Sequence, residues 1–337
     1  MEEISRRHAP PAWPQCGENL PVLSVLLITF PFFALVACGF AATWRGVLPQ
    51  AAIPGLNAFV LYFALPCMLF RFGAQTPIAQ LLDANVTTVY LLCALLMVSA
   101  TMALTRRRLG WNDAAFGALV AAFPNTGFMG VPMLVALLGA QSAGTVIVTM
   151  AVDMVITTSL CIALSRLDLS GGHGVAVALR GAFRGMASNP MPWSIVLGGV
   201  ASARGWTLPA PLDKTVAMLA AAASPVALFT IGAVLARSQM NSHERVAARE
   251  YVPIALAKLA IHPLLVWAVG SGAMALGLPL GREAFVTLVL LAALPSASNV
   301  SLLTERFGAH SGRVARIILV STALAFLSFS AAVALMT

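Results

Sequence analysis

The chain has 337 residues, of which 59% are hydrophobic and 9% charged, with a formal net charge of +8. Soluble domains carry about 25% charged residues, so this composition excludes an ordinary soluble fold and places the chain in a bilayer. In a soluble protein the positive balance would suggest nucleic acid. Here the basic residues fall in short stretches between apolar runs, as membrane topology requires, so no nucleic-acid partner is expected.

Residues 1–21 form a Pro-rich tail of mixed charge, with Arg6-Arg7 ahead of the first apolar run. That run, Leu20 to Trp44, is longer than the core of a secretory signal and lacks a small-x-small cleavage site. It reads as the first span. About 20 apolar residues cross a bilayer, and on that measure the chain holds ten spans. They fall at roughly 22–43, 52–72, 85–105, 113–138, 142–164, 189–204, 214–236, 250–276, 283–304 and 312–336, the sixth being short. The division expected is a tail at 1–21, a five-helix unit at 22–165, a loop at 166–188 and a second five-helix unit at 189–337. Cys16, Cys38, Cys67, Cys93 and Cys161 form no CxxC and read as small hydrophobes.

Two spans are interrupted. From Ala114 to Val152 there is no Asp, Glu, Lys or Arg, yet this run contains Pro124-Asn125-Thr126-Gly127-Phe128-Met129-Gly130-Val131-Pro132. Proline removes a backbone donor and glycine weakens a helix. In hydrocarbon, broken backbone persists only where protein or a water-filled cavity satisfies it. Leu294-Pro295-Ser296-Ala297-Ser298-Asn299 is a second such break. Two interrupted helices in corresponding positions are the sequence mark of a transporter site.

Basic residues set the expected orientation. Loops after odd-numbered spans hold thirteen of them, including Arg106-Arg107-Arg108, Arg237, Arg245, Arg249, Arg313 and Arg316; the other face holds six. This excess puts the odd loops in the cytoplasm and both termini in the periplasm of the cell inner membrane.

The two halves also resemble each other. Pro66-Cys67-Met68-Leu69-Phe70-Arg71-Phe72-Gly73-Ala74 aligns without gaps to Pro225-Val226-Ala227-Leu228-Phe229-Thr230-Ile231-Gly232-Ala233. Pro49 corresponds to Pro209, Ala115-Phe116 to Ala284-Phe285, Pro124 to Pro295, and Gly139-Ala140 to Gly308-Ala309, all in one order. Because each half has an odd number of spans, the second enters from the opposite face. The repeats are therefore inverted, and the fourth span of each carries the break.

The run Pro124 to Pro132 resembles the fourth-span signature of the auxin efflux carrier family. Asn189-Pro190, Ser224 to Ala233, Lys258 with His262-Pro263, and Ala293 to Asn299 resemble later blocks of that family in order. The resemblance covers nearly the whole chain after residue 22. It implies an all-α polytopic fold of ten helices in two inverted five-helix repeats, shared with bile-acid sodium symporters. It also implies transport of a small organic anion; bacterial members are often labelled malonate transporters. The long regulatory loop of the plant carriers is absent, which leaves auxin itself unsupported as substrate.

The expected substrate-binding residues are Pro124, Asn125 and Thr126 at the first break, Pro295, Ser296, Ser298 and Asn299 at the second, and Lys258. Asn125 offers two donors and an acceptor at the start of a half-helix whose free N–H groups favour an anion, or it simply caps that half-helix. Ser296, Ser298 and Asn299 play the matching part, or satisfy backbone freed by Pro295. Lys258 is the only Lys, Arg, Asp or Glu from Tyr251 to Gly281. Burying that charge costs at least ~2.5–3.5 kcal/mol, so it neutralises an anion or else snorkels to the interface. Asp153, the only acidic residue from Ala114 to Ser165, carries a coupling proton, pairs with Lys258, or bonds a neighbouring helix. Asn57 is a weaker candidate, and His262 reads as a packed helix residue.

The first reading is a secondary transporter of malonate or a similar carboxylate. Sodium coupling of the bile-acid type stays open as an alternative, although no acidic cluster marks the crossover. An intramembrane enzyme is a poor match, because HExxH and a second membrane aspartate are absent, and no Walker motif points to ATP. A receptor without transport would show no different motif. No cofactor or metal is expected; a homodimer is left open.

Overall fold

Runs of Leu, Val, Ala and Phe without room for charge leave the backbone one way to satisfy its own polar groups in a bilayer, the helix. A computed structural model describes residues 22–75, 83–139, 141–167, 190–241 and 246–336, and its elements are helical. They are α1 (Val22–Trp44), α2 (Gln50–Gln75), α3 (Ala84–Ala122), α4 (Thr126–Leu138), α5 (Ser142–Ser165), α6 (Pro190–Arg204), α7 (Ala210–Asn241), α8 (Ala248–Ala275), α9 (Arg282–Ala293), α10 (Val300–Phe307) and α11 (Ser311–Met336). Six of these, α2, α3, α5, α7, α8 and α11, are long and apolar enough to cross a membrane. The expected tail at 1–21 and most of the loop at 166–188 lie outside the described residues.

Helix α3 bends at Gly110, whose φ of 77° and ψ of 173° suit glycine alone, and this separates an arm at 84–109 from one at 111–122. Four helices contain a widened π turn: Val60–Ala64 in α2, Thr126–Gly130 in α4, Asp153–Thr157 in α5 and Ala257–Ile261 in α8. In three of them a proline follows the turn, Pro66, Pro132 or Pro263. A proline ring clashes with the carbonyl four residues back and donates nothing to it. The wider turn relieves both problems, with Leu65, Val131 and His262 donating to Val60, Thr126 and Ala257 instead. In α5 no proline follows; Thr158 N–H donates to the Asp153 carbonyl, and its Oγ1 donates to the same carbonyl at 2.7 Å.

The helices pack as two groups. In one, α1 lies along α7 and α2 along α6 and α7. The contact is backbone on backbone: a Cβ added to Gly39 would stand 1.9 Å from the Phe229 carbonyl oxygen, and one on Gly232 1.9 Å from that of Val36. At the α2–α6 contact, a Cβ on Gly198 would stand 2.3 Å from the Phe70 oxygen and one on Gly73 2.9 Å from that of Ile195. In the other group α3, α5, α8, α9 and α11 pack on one another, α4 packs on α5 and α9, and α10 packs on α11 and α3. The arms that lead into the two breaks, Ala114 to Ala122 and Phe285 to Ala293, are buried on every side, as an all-round apolar pattern requires.

Several arginines expected in loops lie within helices: Arg106, Arg107 and Arg108 in α3, Arg237 in α7, Arg249 in α8, and Arg313 and Arg316 in α11. Arg313 is not a loop residue: it is 1% exposed in the first turn of α11, and its guanidinium donates to the Asp113 carbonyl. Arg237 lies inside α7, four residues before its end. At the opposite end of α7, Arg71 pairs with Asp213 at 2.9 Å.

Candidate functional site

Both buried arms end in extended residues, Phe123 at φ −91°, ψ 104° and Leu294 at φ −64°, ψ 154°. The two broken segments meet antiparallel. Asn125 N–H donates to the Pro295 carbonyl at 2.8 Å, and Ala297 N–H to that of Phe123 at 3.0 Å, flanking the facing pair Pro124 and Ser296. Pro124 thus occupies the member of the bridge whose N–H is not needed. Ser296 N–H turns to Ser321 Oγ on α11 at 3.2 Å. Asn125, at φ −76° and ψ 56°, is the centre of an inverse γ-turn closed by Thr126 N–H on the Pro124 carbonyl at 2.7 Å. The Asn125 carbonyl then accepts from Met129 and Gly130 N–H, both at 3.0 Å. Backbone that two prolines had freed is satisfied by the other break, as the low dielectric demands.

The side chains are less occupied than the backbone. Asn125 is 2% exposed, caps no helix, and its amide nitrogen has no partner among the described residues. Ser296 is fully buried and its hydroxyl is also unpartnered. Asn299 precedes α10 but makes no capping bond. The simple capping role open to Asn125 and Asn299 is therefore not what their side chains do. Thr126 Oγ1 reaches the Pro124 carbonyl at 3.4 Å.

Beside the crossover lies a narrow, partly open cavity. Its walls come from both helix groups: Asn57, Val60 and Leu61 of α2 and Ala227, Ile231, Val234 and Arg237 of α7 on one side, and Phe128, Ser298, Asn299 and Ser301 on the other. Of the residues picked from sequence, Ser298, Asn299 and Asn57 line this cavity. Pro124, Asn125, Thr126, Pro295 and Ser296 build the crossover beside it without forming its wall. Sequence reasoning missed Arg237, which it had counted among loop charges. The signal was there: Ala227, Ile231 and Val234 repeat at helical spacing, and Arg237 continues the same face.

Lys258 and Asp153 belong to a separate buried cluster. Lys258 is fully buried and donates to the Ala292 carbonyl of α9 at 2.7 Å, with His262 Nδ1 at 2.9 Å from its ammonium. It does not snorkel. It stands where α9 runs out of donors for its last carbonyls, one turn before Pro295. Asp153 accepts from Tyr90 Oη of α3 at 2.6 Å and from Thr157 Oγ1 at 3.1 Å. No ion pair joins Asp153 to Lys258 within 4.0 Å; the rings of Tyr90 and His262, 6.5 Å apart, lie between the two groups of contacts. Among the described residues no group of three metal-ligating side chains forms.

Comparison with known proteins gives one consistent answer. The family described as "Membrane transport protein" matches residues 24–169 and 175–333. A "Putative malonate transporter" of Rhizobium meliloti is 30% identical over 304 residues, covering 88% of this chain and 91% of that protein. An "Uncharacterized transporter YfdV" of Escherichia coli K12 is 25% identical over 308 residues, 88% and 89% of the two chains. "Auxin efflux carrier component 3a" of rice is 26% identical over 148 residues, 42% of this chain and 24% of the plant protein.

Proposed function

Since the chain belongs to the membrane transport protein family, the auxin efflux carrier family, and is a transporter and not an enzyme, we propose that it is a secondary carrier of a small organic anion. Malonate or a similar short carboxylate is the substrate class, on the strength of the Rhizobium relative. The observation that carries the reading is the crossover, two broken helices bonded to each other beside a cavity walled by both helix groups. Neutral donors at such a break, Asn299, Ser298 and the unpartnered Asn125 amide, suit a carboxylate. Asn125 and Ser296 reach the substrate when the seam rearranges, and Lys258 holds α9 in place or lends its charge.

The carrier has ten spans as two inverted repeats, 22–165 and 189–337. Support comes from the glycine contacts: Gly39 and Gly198 stand 159 positions apart, and so do Gly73 and Gly232, the spacing that also relates Pro66 to Pro225. The contacts α1–α7 and α6–α2 are then copies of one another. Alternating access follows as movement of the crossover group against α1, α2, α6 and α7. With basic loops inside, both termini face the periplasm of the inner membrane.

Uptake of labelled malonate by proteoliposomes, with sodium and pH gradients imposed separately, tests the function. Saturable uptake that an excess of unlabelled short dicarboxylate suppresses is the expected result. Uptake no faster than in protein-free vesicles, across malonate and its near homologues, refutes it. An impermeant maleimide added to intact cells should label a cysteine placed at Gly205 and spare one at Arg107; the reverse inverts the orientation.

A further inference from the structure

We propose that Arg237 is the residue that binds the substrate's carboxylate, with the neutral polar residues of the same cavity wall taking a second hydrogen-bonding group. This inference rests on the carrier reading above and adds to it the charge recognition that the crossover lacks. Arg237 is the only charged residue in the cavity wall, and no Asp or Glu lines that wall among the described residues. No hydrogen bond or ion pair engages its guanidinium among the described residues, whereas Arg71 is paired with Asp213, and Arg313, which lies outside the cavity wall, donates through Nη2 to the Asp113 carbonyl. Lys258 does not line the cavity and spends its ammonium on Ala292 and His262. A substrate anion entering this space therefore meets one full positive charge.

The chemistry of that charge is specific. Guanidinium presents two parallel N–H groups to a carboxylate, a geometry an ammonium cannot copy. Arg237 is half-buried at the end of an apolar face of α7 that begins at Ala227, about 15 Å away along the helix. The apolar part of the wall, Val60, Leu61, Phe128, Ala227, Ile231 and Val234, lowers the local dielectric and strengthens the pair. The rest of the polar wall is uncharged: Asn299 and Ser298 at the second break, Ser301 on α10 and Asn57 on α2. Asn299 also opens α10, whose N-terminal end adds partial positive charge. The cavity thus offers one charged partner for a carboxylate and neutral hydrogen-bonding partners for a second oxygen, which describes a short acid carrying a second carboxyl or an amide.

The test is binding to the purified full chain in nanodiscs, with malonate, its monoamide malonamate and the neutral diamide malonamide as probes. Wild-type protein is expected to bind malonate and malonamate and to ignore malonamide. Arg237→Gln should bind both acids roughly ten- to hundred-fold more weakly, the range for losing hydrogen bonds to a charged group. Arg237→Lys should recover part of that loss, which a merely structural arginine would not predict. Equal affinity of wild type and Arg237→Gln for malonate overturns the role of Arg237 and leaves the carrier reading standing. Wild type that binds none of the acids overturns both. If Arg237→Gln does not fold, wild type and Arg237→Lys are compared alone, and identical affinities for both acids refute the proposal.

Discussion

The two helix groups solve the problem of packing in a membrane in different ways. Between α1 and α7, and between α2 and α6, glycines bring backbones to within a Cβ of each other. Lipid supplies no hydrophobic drive for helices to associate, so close van der Waals contact holds this group together. The group around the crossover is threaded with buried polar side chains: Asn125, Thr126, Asp153, Lys258, His262, Ser296 and Tyr90 are each 2% exposed or less. A contact made of backbone tolerates almost no change of shape. A contact made of hydrogen bonds can be remade with new partners, and the cavity lies between the two kinds.

The largest effect expected comes from breaking the first kind. Gly39→Leu or Gly232→Leu should abolish the folded protein, read as loss of the monodisperse peak in detergent, because the nearest atoms are backbone carbonyls of the facing helix. Gly55→Ala is the control: nothing lies within 4 Å of the added atom, and stability should stay within about 0.5 kcal/mol. If Gly39→Leu folds as well as Gly55→Ala, the helices do not touch as described.

The next effect belongs to the crossover. Asn125→Ala should abolish malonate uptake while insertion and melting temperature are kept, because its amide nitrogen has no partner among the described residues. Uptake at the wild-type rate would remove Asn125 from substrate contact. Lys258→Met should cost about 1–3 kcal/mol by orphaning the Ala292 carbonyl, measured by thermal unfolding in detergent. No change in stability would show that water takes over that carbonyl. The smallest effect is Ser296→Ala. Its hydroxyl has no partner among the described residues, so stability should move by less than about 0.5 kcal/mol, and a larger loss would reveal a bond the resting protein keeps.

Much of this contrast was legible in the sequence, for identifiable reasons. The breaks at Pro124 and Pro295 announced themselves because proline cannot continue a helix and hydrocarbon punishes the result. The matching of Pro66 to Pro225 and of Gly73 to Gly232 was visible as text, but nothing in the text said that Gly73 faces Gly198 across a helix contact. Lys258 was recognised as a buried charge. Its partner, a carbonyl of α9, could not be found, because every residue has a carbonyl and only the fold selects one. Arg237 was misread because a charge near the end of an apolar run looks the same whether it meets headgroups or a cavity. The π turns of α5 and α8 likewise depend on which carbonyl each N–H finally reaches.

The central claim is that substrate passes along the seam between the two groups and that the seam must move. Val234 of α7 and Ser301 of α10 line opposite walls of the cavity, and a cysteine at each, in a background without the native cysteines, allows the walls to be tied by a flexible bismaleimide. The account predicts that malonate uptake by proteoliposomes falls to the protein-free level once the two cysteines are joined, while either single cysteine treated with the same reagent retains uptake. Full uptake by the tied protein would contradict it.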